Sequence, residues 1–178
     1  MAVILLRHTR PVLGSVYCYG KLDIDLADSF EADAELAIAQ LPTFSRVVSS
    51  PLSRARLLAE RIAARHSLIF CIDERVREMD FAAWEGRRWS EIPRAELDAW
   101  ASDFMDARPH GGESVREFSS RCREAVATYE REDGDTLIVC HAGVIRAAFA
   151  RGDSVDEFST AIGYGESRRW LEPTAPSS

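Results

Sequence analysis

The sequence contains no run of apolar residues close to the ~20 that a membrane-spanning helix requires. It also lacks the basic start and small-residue cleavage site of a secretory signal, because the short run MAVILL leads directly into charged residues. Acidic residues outnumber basic ones, 29 against 22, and the formal net charge is −7. Such a surface repels nucleic acid and anionic membranes, although a small cationic pocket remains compatible with it. We expect a cytoplasmic protein, a monomer or a homodimer, whose partner is neither a nucleic acid nor a membrane.

The sequence is also poor in cysteine, and its few cysteines are scattered. None forms a C-x-x-C pair, and no histidine-rich cluster accompanies them. This spacing does not fit a disulfide framework or a structural zinc site, so we expect reduced and mostly buried thiols. The four residues are Cys18, Cys71, Cys122 and Cys140.

Internal repeats and long linkers are absent too. A chain of 178 residues is long enough to bury one substantial core. We therefore expect a single domain over residues 1–172. The last six residues, PTAPSS at 173–178, are expected to be disordered.

Runs of strand length alternate with helical patterns along the chain. The strand runs are 2–6, 46–49, 67–72 and 136–140, and 161–171 is typical of a closing strand or hairpin. Helical spacing of apolar residues covers 30–41, 50–66, 90–104, 114–129 and 143–150. The alternation predicts an α/β fold, a three-layer sandwich whose mostly parallel central sheet carries helices on both faces.

Two helix starts carry capping signals. Ser50 is a candidate N-cap, with Pro51 at the first helical position. Ser114 and Glu117 have the spacing of a capping box, which predicts a second helix start.

In sheets of this kind ligands bind beyond the carboxyl ends of the strands, so the polar residues there are the candidates for a site. Four successive strand ends carry such polar residues, and parallel strands bring those ends to one edge of the sheet. The candidate residues are Arg7 and His8 after the first strand, Arg54 after the second, Glu78 after the third, and His141, Ala142 and Gly143 after the fourth.

This set of side chains suits phosphoryl transfer. A phosphomonoester is nearly a dianion at neutral pH, and arginine offers fixed, permanently charged donors that match its oxygens. A neutral imidazole can attack phosphorus, and a second, protonated imidazole can stabilise charge on the phosphoryl oxygens. A carboxylic acid can protonate the leaving oxygen. Because side chains supply all the positive charge, the chemistry requires neither a metal nor a cofactor.

Four motifs carry these residues: LLRHTRP, SSPLSRARLLAERIA, EMDFAAWEG and VCHAGVIRA, in this order over most of the chain. Together they resemble the motifs of the histidine phosphatase superfamily. The resemblance implies a phosphoglycerate mutase-like fold and hydrolysis of a small phosphorylated metabolite through a phosphohistidine. It also implies that His8 is the nucleophile, that Arg7, Arg54 and His141 hold the phosphoryl group, and that Glu78 is the proton donor.

Two further stretches, YCYGKLDIDLADSFEADA and GGESVREFSSRC, are similar to the alpha-ribazole phosphatases of cobalamin biosynthesis. Alpha-ribazole 5′-phosphate would then be the substrate. Many relatives have Gly-Glu after the Arg-His pair and an Asn soon after, whereas this chain has Thr9, Arg10 and Gly14. We expect Tyr19, or the backbone beside it, to replace the missing Asn contact. The expected substrate contacts are Thr9, Tyr19, Ala142 and Gly143.

Several residues have plainer interpretations. Without the family pattern, Glu74, Asp80 and Glu85 compete with Glu78 for the role of the acid. The other such residues are expected to be structural or solvated: His66 at a helix end, His110 in a solvated loop, Glu113 solvated or bonded to backbone, Trp84 and Trp89 in packing, and Cys140 in the core. Two alternatives stay open, a substrate contact for His110 and a place in the pocket wall for Trp84.

Two other functions remain open. A phosphoglycerate mutase would use the same chemistry but return the phosphoryl group to its substrate. The mutases in question are longer and carry a larger insertion, whereas the segment between WEG and GGES is short here. The third possibility is a non-catalytic phosphate-binding module on the same fold, which the presence of nucleophile, clamp and acid together disfavours.

Overall fold

The computed structural model describes residues 1–170, so the predicted tail at 173–178 lies outside the described residues. Five strands in this part of the chain form one sheet: β1 Val3–Arg7, β2 Arg46–Ser49, β3 Phe70–Ile72, β4 Thr136–Cys140 and β5 Ser167–Trp170. Their spatial order is β3–β2–β4–β1–β5. Strands β1 to β4 run parallel, and β5 pairs antiparallel with β1.

Helices cover both faces of this sheet, which confirms the predicted three-layer α/β fold. The helices are α1 Phe30–Ala39, α2 Ser53–His66, α3 Arg94–Ser102, α4 Val115–Glu130 and α5 Ala142–Phe149. Helices α1 and α2 pack on one face, and α4 and α5 pack on the other. Helix α3 packs outside the sheet layers, against the loops around Trp84. Within the described residues no helix has the length and apolar character needed to cross a membrane.

The strand β1 shows why the first apolar run is continuous. Successive side chains of a strand point to opposite faces, so Val3 and Leu5 pack under α4 and α5. Ile4 and Leu6 pack under α1 and α2. All four side chains are buried, because both faces of the sheet are covered.

The predicted start of α2 at Ser50 is wrong. The helix begins at Ser53, after the extended residue Leu52, and no side chain of the N-cap residue closes its first turn. The Ser50 hydroxyl lies 2.7 Å from Nε2 of His141 and accepts only a long bond from the Leu52 N–H. The Asp23 carboxylate instead accepts from the Ser53 N–H and hydroxyl, at 2.8 and 2.7 Å. A distant residue therefore supplies the cap that Ser50 was expected to supply.

Two further element boundaries differ from the prediction. Strand β3 begins at Phe70 rather than 67, because Ser67 adopts the left-handed conformation that ends α2 (φ 53°). The predicted helix at 90–104 divides into a 3₁₀ turn, Trp89–Glu91, and α3. Pro93 separates them, because proline disfavours helical backbone at the residue before it. The capping box of Ser114 and Glu117 is confirmed at the start of α4.

A small aromatic cluster holds the segment between β3 and α4, and His110 belongs to it. The expectation of a solvated His110 is wrong, since only 2% of its surface is exposed. Its ring makes edge contacts with Phe81, Trp84 and Trp100, and its Nδ1 accepts from the Gly112 N–H. The imidazole therefore ties the loop that precedes α4 to the cluster.

Candidate active site

The two candidate histidines meet because β1 and β4 are parallel neighbours. Arg7 stands opposite Cys140 in this register, and the backbone N–H of His8 donates to the Cys140 carbonyl at 3.0 Å. The next residue of each strand end is a histidine. The ring centroids of His8 and His141 lie 5.2 Å apart.

A single hydrogen bond fixes the chemical form of His8. Its Nδ1 lies 2.6 Å from the backbone carbonyl of Thr9. A carbonyl can only accept, so Nδ1 carries the proton and Nε2 retains its lone pair. The Thr9 side chain itself is buried, and its hydroxyl has no partner among residues 1–170. The observed contribution of Thr9 is therefore its carbonyl.

Both histidines favour the neutral form. Burial, followed by the nearby charge of Arg54, lowers the pKa of His8 well below its usual value. The same two causes lower the pKa of His141. The neutral imidazole of His8 is the form that can act as a nucleophile. His141 is likewise neutral, and its single ring proton lies on Nδ1 or on Nε2, the nitrogen beside the Ser50 hydroxyl.

Arg7 lies at the end of β1 and lines a cavity beside that strand end. Its Nη1 donates to the carbonyl of Ile162 at 2.6 Å. The guanidinium carbon stands 3.7 Å from the ring centroid of Tyr164. The loop that carries Tyr164 is fixed to β1 by two backbone bonds, from Gly165 to the Arg7 carbonyl and from Arg7 to the Glu166 carbonyl. Sequence reasoning missed Tyr164, because no motif marks it.

Arg54 occupies the first turn of α2, and its side chain is fully buried. Its Nη2 donates to the Gly20 carbonyl at 2.6 Å, and its Nη1 donates to the Leu22 carbonyl at 2.8 Å. The ring of Tyr19 lies 5.2 Å from the guanidinium. Burial and a hydrogen bond with Tyr164 raise the pKa of Tyr19, so its hydroxyl stays protonated.

Three buried nitrogen atoms around the histidine pair have no hydrogen-bond partner among residues 1–170. They are Nε of Arg7, Nε of Arg54 and Nδ1 of His141. A buried donor without a partner is rare in a folded protein and costs stability. The two arginine Nε–H groups are donors in every form of the site, and such unpartnered buried donors are expected where a site is built to receive an anion with acceptor oxygens.

Glu78 stands beside the start of α5. Its Oε2 accepts from the Gly143 N–H at 3.2 Å, and its Oε1 accepts from the Met79 N–H at 3.1 Å. Gly143 permits this approach, since a Cβ at that position would overlap the carboxylate. Among the four carboxylates that compete for the acid role, Glu78 lines the cavity. The others are held elsewhere: Glu74 by Arg77, Asp80 by Lys21, and Glu85 by the N–H groups of Lys21 and Phe81.

The backbone beneath Glu78 is held by Arg121 of α4. Arg121 donates to the carbonyls of Arg75, Arg77 and Glu78, at 2.8, 2.7 and 3.2 Å. It also forms a two-bond ion pair with Glu113, at 2.6 and 2.8 Å. Glu113 also accepts from the backbone N–H of Asp80 at 3.4 Å, so the expected backbone bond is present. The alternative of a solvated Glu113 is wrong, because its side chain is only 16% exposed and its charge is paired with Arg121.

The cavity has a volume of about 640 Å³, and its walls are strongly aromatic. Trp89, expected in packing, also forms part of the wall. Trp84 is fully buried, which agrees with the expected packing role rather than with a place in the wall. Ala142 and Gly143 lie at the edge near Glu78. The aromatic lining includes Tyr17, Tyr19, Phe81, Trp89, Trp100 and Phe104.

His8 and His141 are buried, with 2% and 0% of their surfaces exposed, and neither lines this cavity, whereas Arg7 and Glu78 do. Arg10, one of the residues that depart from the commoner pattern, points elsewhere and pairs with Asp33 at 2.8 Å. His66 is structural as predicted, with its ring against Phe44.

The fold and this arrangement of residues define the class of protein: an α/β enzyme of the phosphatase type. The family described as the histidine phosphatase superfamily (branch 1) matches residues 3–159. The match covers most of the chain, and the chain therefore belongs to this superfamily.

Individual relatives agree with that assignment. The chain is 32% identical over 168 residues to the glucosyl-3-phosphoglycerate phosphatase of Mycobacterium tuberculosis, covering 83% of this chain and 73% of that protein. It is 29% identical over 113 residues to the adenosylcobalamin/alpha-ribazole phosphatase of Salmonella typhimurium, covering 61% and 56%. The structure of the alpha-ribazole phosphatase from Shigella flexneri superposes with a TM-score of 0.82, at 24% identity over 95% of this chain and 89% of that chain. This superposition shows the shared phosphoglycerate mutase-like fold.

Proposed function

We propose that the protein is a metal-independent phosphomonoesterase that hydrolyses a small phosphorylated metabolite through a phosphohistidine at His8. One observation carries the proposal. The unprotonated Nε2 of a neutral His8 lies in a buried site where Arg7 and Arg54 each keep an Nε–H donor without a partner, beside the unpartnered Nδ1 of His141. These donors suit the oxygens of a phosphoryl group in transfer.

In the first step Nε2 of His8 attacks phosphorus, and the bond from phosphorus to the ester oxygen breaks. Glu78, in its acid form, gives its proton to that oxygen, so the product leaves as an alcohol. In the second step water attacks the phosphohistidine and Glu78 takes up a proton from it. The bond from nitrogen to phosphorus breaks, which releases phosphate and restores the neutral imidazole. Both arginines and His141 stabilise the charge on the phosphoryl oxygens throughout.

For the substrate we propose alpha-ribazole 5′-phosphate. The segments 17–34 and 111–122 are similar to enzymes of that activity, and two relatives carry the name. The aromatic walls of the cavity support the proposal, because a flat base stacks well on aromatic side chains. The aromatic side chains and Glu78 line the same cavity. A leaving group that takes its proton from Glu78 would therefore lie among these aromatic side chains.

Hydrolysis is tested with a panel of phosphate esters that includes alpha-ribazole phosphate, phosphoglycerates, sugar phosphates and nucleotides. We expect turnover that EDTA does not reduce and that His8→Ala abolishes. His66→Ala, which removes a histidine remote from the site, is the matched control and keeps its activity. Activity that persists in the His8 variant would contradict the mechanism. Isomerisation of phosphoglycerate that exceeds phosphate release would contradict the assignment as a phosphatase.

The choice of alpha-ribazole phosphate is judged separately, by kcat/KM across the same panel. We expect it to have the highest value. A higher value for a phosphoglycerate or a sugar phosphate would remove this substrate while leaving the phosphatase chemistry intact.

A further inference from the structure

Tyr164 lies against both Arg7 and His8, two residues of the proposed phosphoryl site, although the sequence motifs assign it no role. Its ring faces the Arg7 guanidinium at 3.7 Å and lies 5.6 Å from the ring of His8. It stands between two glycines in the turn before β5. Gly165 has φ +70°, a conformation that other residues adopt only with strain, and its N–H donates to the Arg7 carbonyl. The backbone thus holds the tyrosine against Arg7.

The hydroxyl of Tyr164 extends this contact to the second arginine. It lies 3.0 Å from the hydroxyl of Tyr19, whose ring lies beside Arg54. Each arginine is also bonded to backbone near one of the two tyrosines. Arg7 donates to the carbonyl of Ile162, and Arg54 donates to that of Gly20. The hydroxyl pair therefore joins the two segments that hold the two arginines.

The two arginines differ in how firmly the backbone holds them. Arg54 donates to two carbonyls, whereas Arg7 donates to the carbonyl of Ile162 alone among its described hydrogen bonds. One bond at Nη1 leaves the guanidinium plane free to turn about it. The face of an aromatic ring removes that freedom and attracts the positive charge. An arginine must hold a fixed plane to present paired donors to phosphate.

We propose that Tyr164 is a positioning residue of the phosphoryl site: its ring fixes the plane of Arg7 beside His8, and its hydroxyl links Arg7 to the segment that holds Arg54. The role rests on the proposed function, because the group that Arg7 and Arg54 would hold together is the phosphoryl group of the substrate. It extends that function by a residue outside the four sequence motifs.

The ring is tested with Tyr164→Leu, and the readouts are the inhibition constant of inorganic phosphate, KM and kcat. We expect phosphate to bind about 3- to 30-fold more weakly, the range that corresponds to one lost cation–π contact. In an Arg7→Gln background the same substitution should change phosphate binding no further, because Tyr164 acts through Arg7. Losses that multiply in the double variant would overturn the proposal, as would unchanged phosphate binding in a folded Tyr164→Leu protein.

The hydroxyl link is tested with Tyr164→Phe and Tyr19→Phe, which remove the same hydrogen bond from its two ends. We expect equal effects on phosphate binding, and an effect in the double variant no larger than in either single one. Unequal or multiplying effects would overturn the link, and this pair decides the matter if Tyr164→Leu fails to fold. Tyr129→Phe, which removes a tyrosine hydroxyl bonded to Asp73 far from the site, is the control that leaves phosphate binding unchanged.

Calorimetric binding of inorganic phosphate separates this role from the proposed function. If the wild-type protein binds phosphate but hydrolyses no ester, the proposed function fails, and the Tyr164 variants still report on Arg7. If the wild-type protein binds no phosphate, the positioning role is overturned as well.

Discussion

The ring centroids of His8 and His141 lie 5.2 Å apart and the rings are tilted by 60°, although the two residues are far apart in the sequence. Their closeness follows from the register of β1 on β4, which ends both strands at the same level. It also has an electrostatic consequence. Both rings are buried between arginines, and desolvation with like charge nearby favours the neutral imidazole in each.

The first prediction concerns the titration of His8. Its pKa is lowered, so the imidazole should remain neutral as the pH falls through 6.5 and take up its proton only at lower pH. Arg54 is the second cause of that lowering. Arg54→Gln should therefore raise the pKa and move the titration midpoint to higher pH. The measurement is the pH dependence of the His8 ring signals by NMR, in the protein without phosphate.

Arg56→Gln is the control for this titration. Arg56 lies on the same helix but pairs with Glu60 at the surface. Its replacement should leave the His8 midpoint where it is. A midpoint at or above 6.5 in the wild-type protein would contradict the prediction, and so would an equal shift in the two variants.

The second prediction tests Glu78 as the proton donor. Glu78→Gln should lower kcat by about 10² to 10⁴ for an alkyl phosphate, whose leaving oxygen needs a proton. The loss should be much smaller for 4-nitrophenyl phosphate, whose leaving group departs as an anion. Glu74→Gln, an exposed carboxylate paired with Arg77, should behave as the wild type. Equal losses for the two substrates would remove Glu78 from the acid role.

The third prediction uses the contact between Gly143 and Glu78. A methyl group at position 143 would overlap the Glu78 carboxylate, so Gly143→Ala should displace it and lower kcat on alkyl phosphates. Because the backbone of Gly143 has no positive φ, the fold should persist, as circular dichroism can check. Gly14→Ala meets no atom within 4 Å and is the matched control. Full activity in the Gly143 variant would show that the carboxylate position is unimportant.

Much of the sheet could be predicted from the sequence, because its central strands are buried on both faces. Strand β2 has the predicted bounds, and β1 and β4 follow from unbroken apolar runs. The start of α2 could not be predicted, because Asp23, 30 residues away, supplies its cap. Local signals decide a boundary only where local groups satisfy the backbone.

The candidate site likewise contains residues that the sequence predicts and residues that only the folded structure reveals. The rule for strand ends predicts from the sequence that His8 and His141 lie together, and their catalytic roles stay predictions. Tyr164 and Arg121 carry no such signal, since each reaches the site through contacts that only the folded chain creates. His110 shows the opposite case, a polar residue beside glycines whose burial depends on aromatic partners distant in sequence.

The fourth prediction concerns Arg121, which donates hydrogen bonds to the backbone carbonyls of Arg75, Arg77 and Glu78. The side chains of Arg121 and Glu113 are only 18% and 16% exposed, so Arg121→Ala leaves a largely buried carboxylate and three carbonyls without their donor. We expect a loss of about 3 kcal/mol in the free energy of unfolding by urea. Arg116, on the same helix, is 52% exposed in its ion pairs, and Arg116→Ala should cost less than about 1 kcal/mol. Because the freed backbone carries Glu78, kcat should also fall in the Arg121 variant and not in the Arg116 variant. Equal stability of the two variants would show that the Arg121 contacts contribute no more than a surface pair.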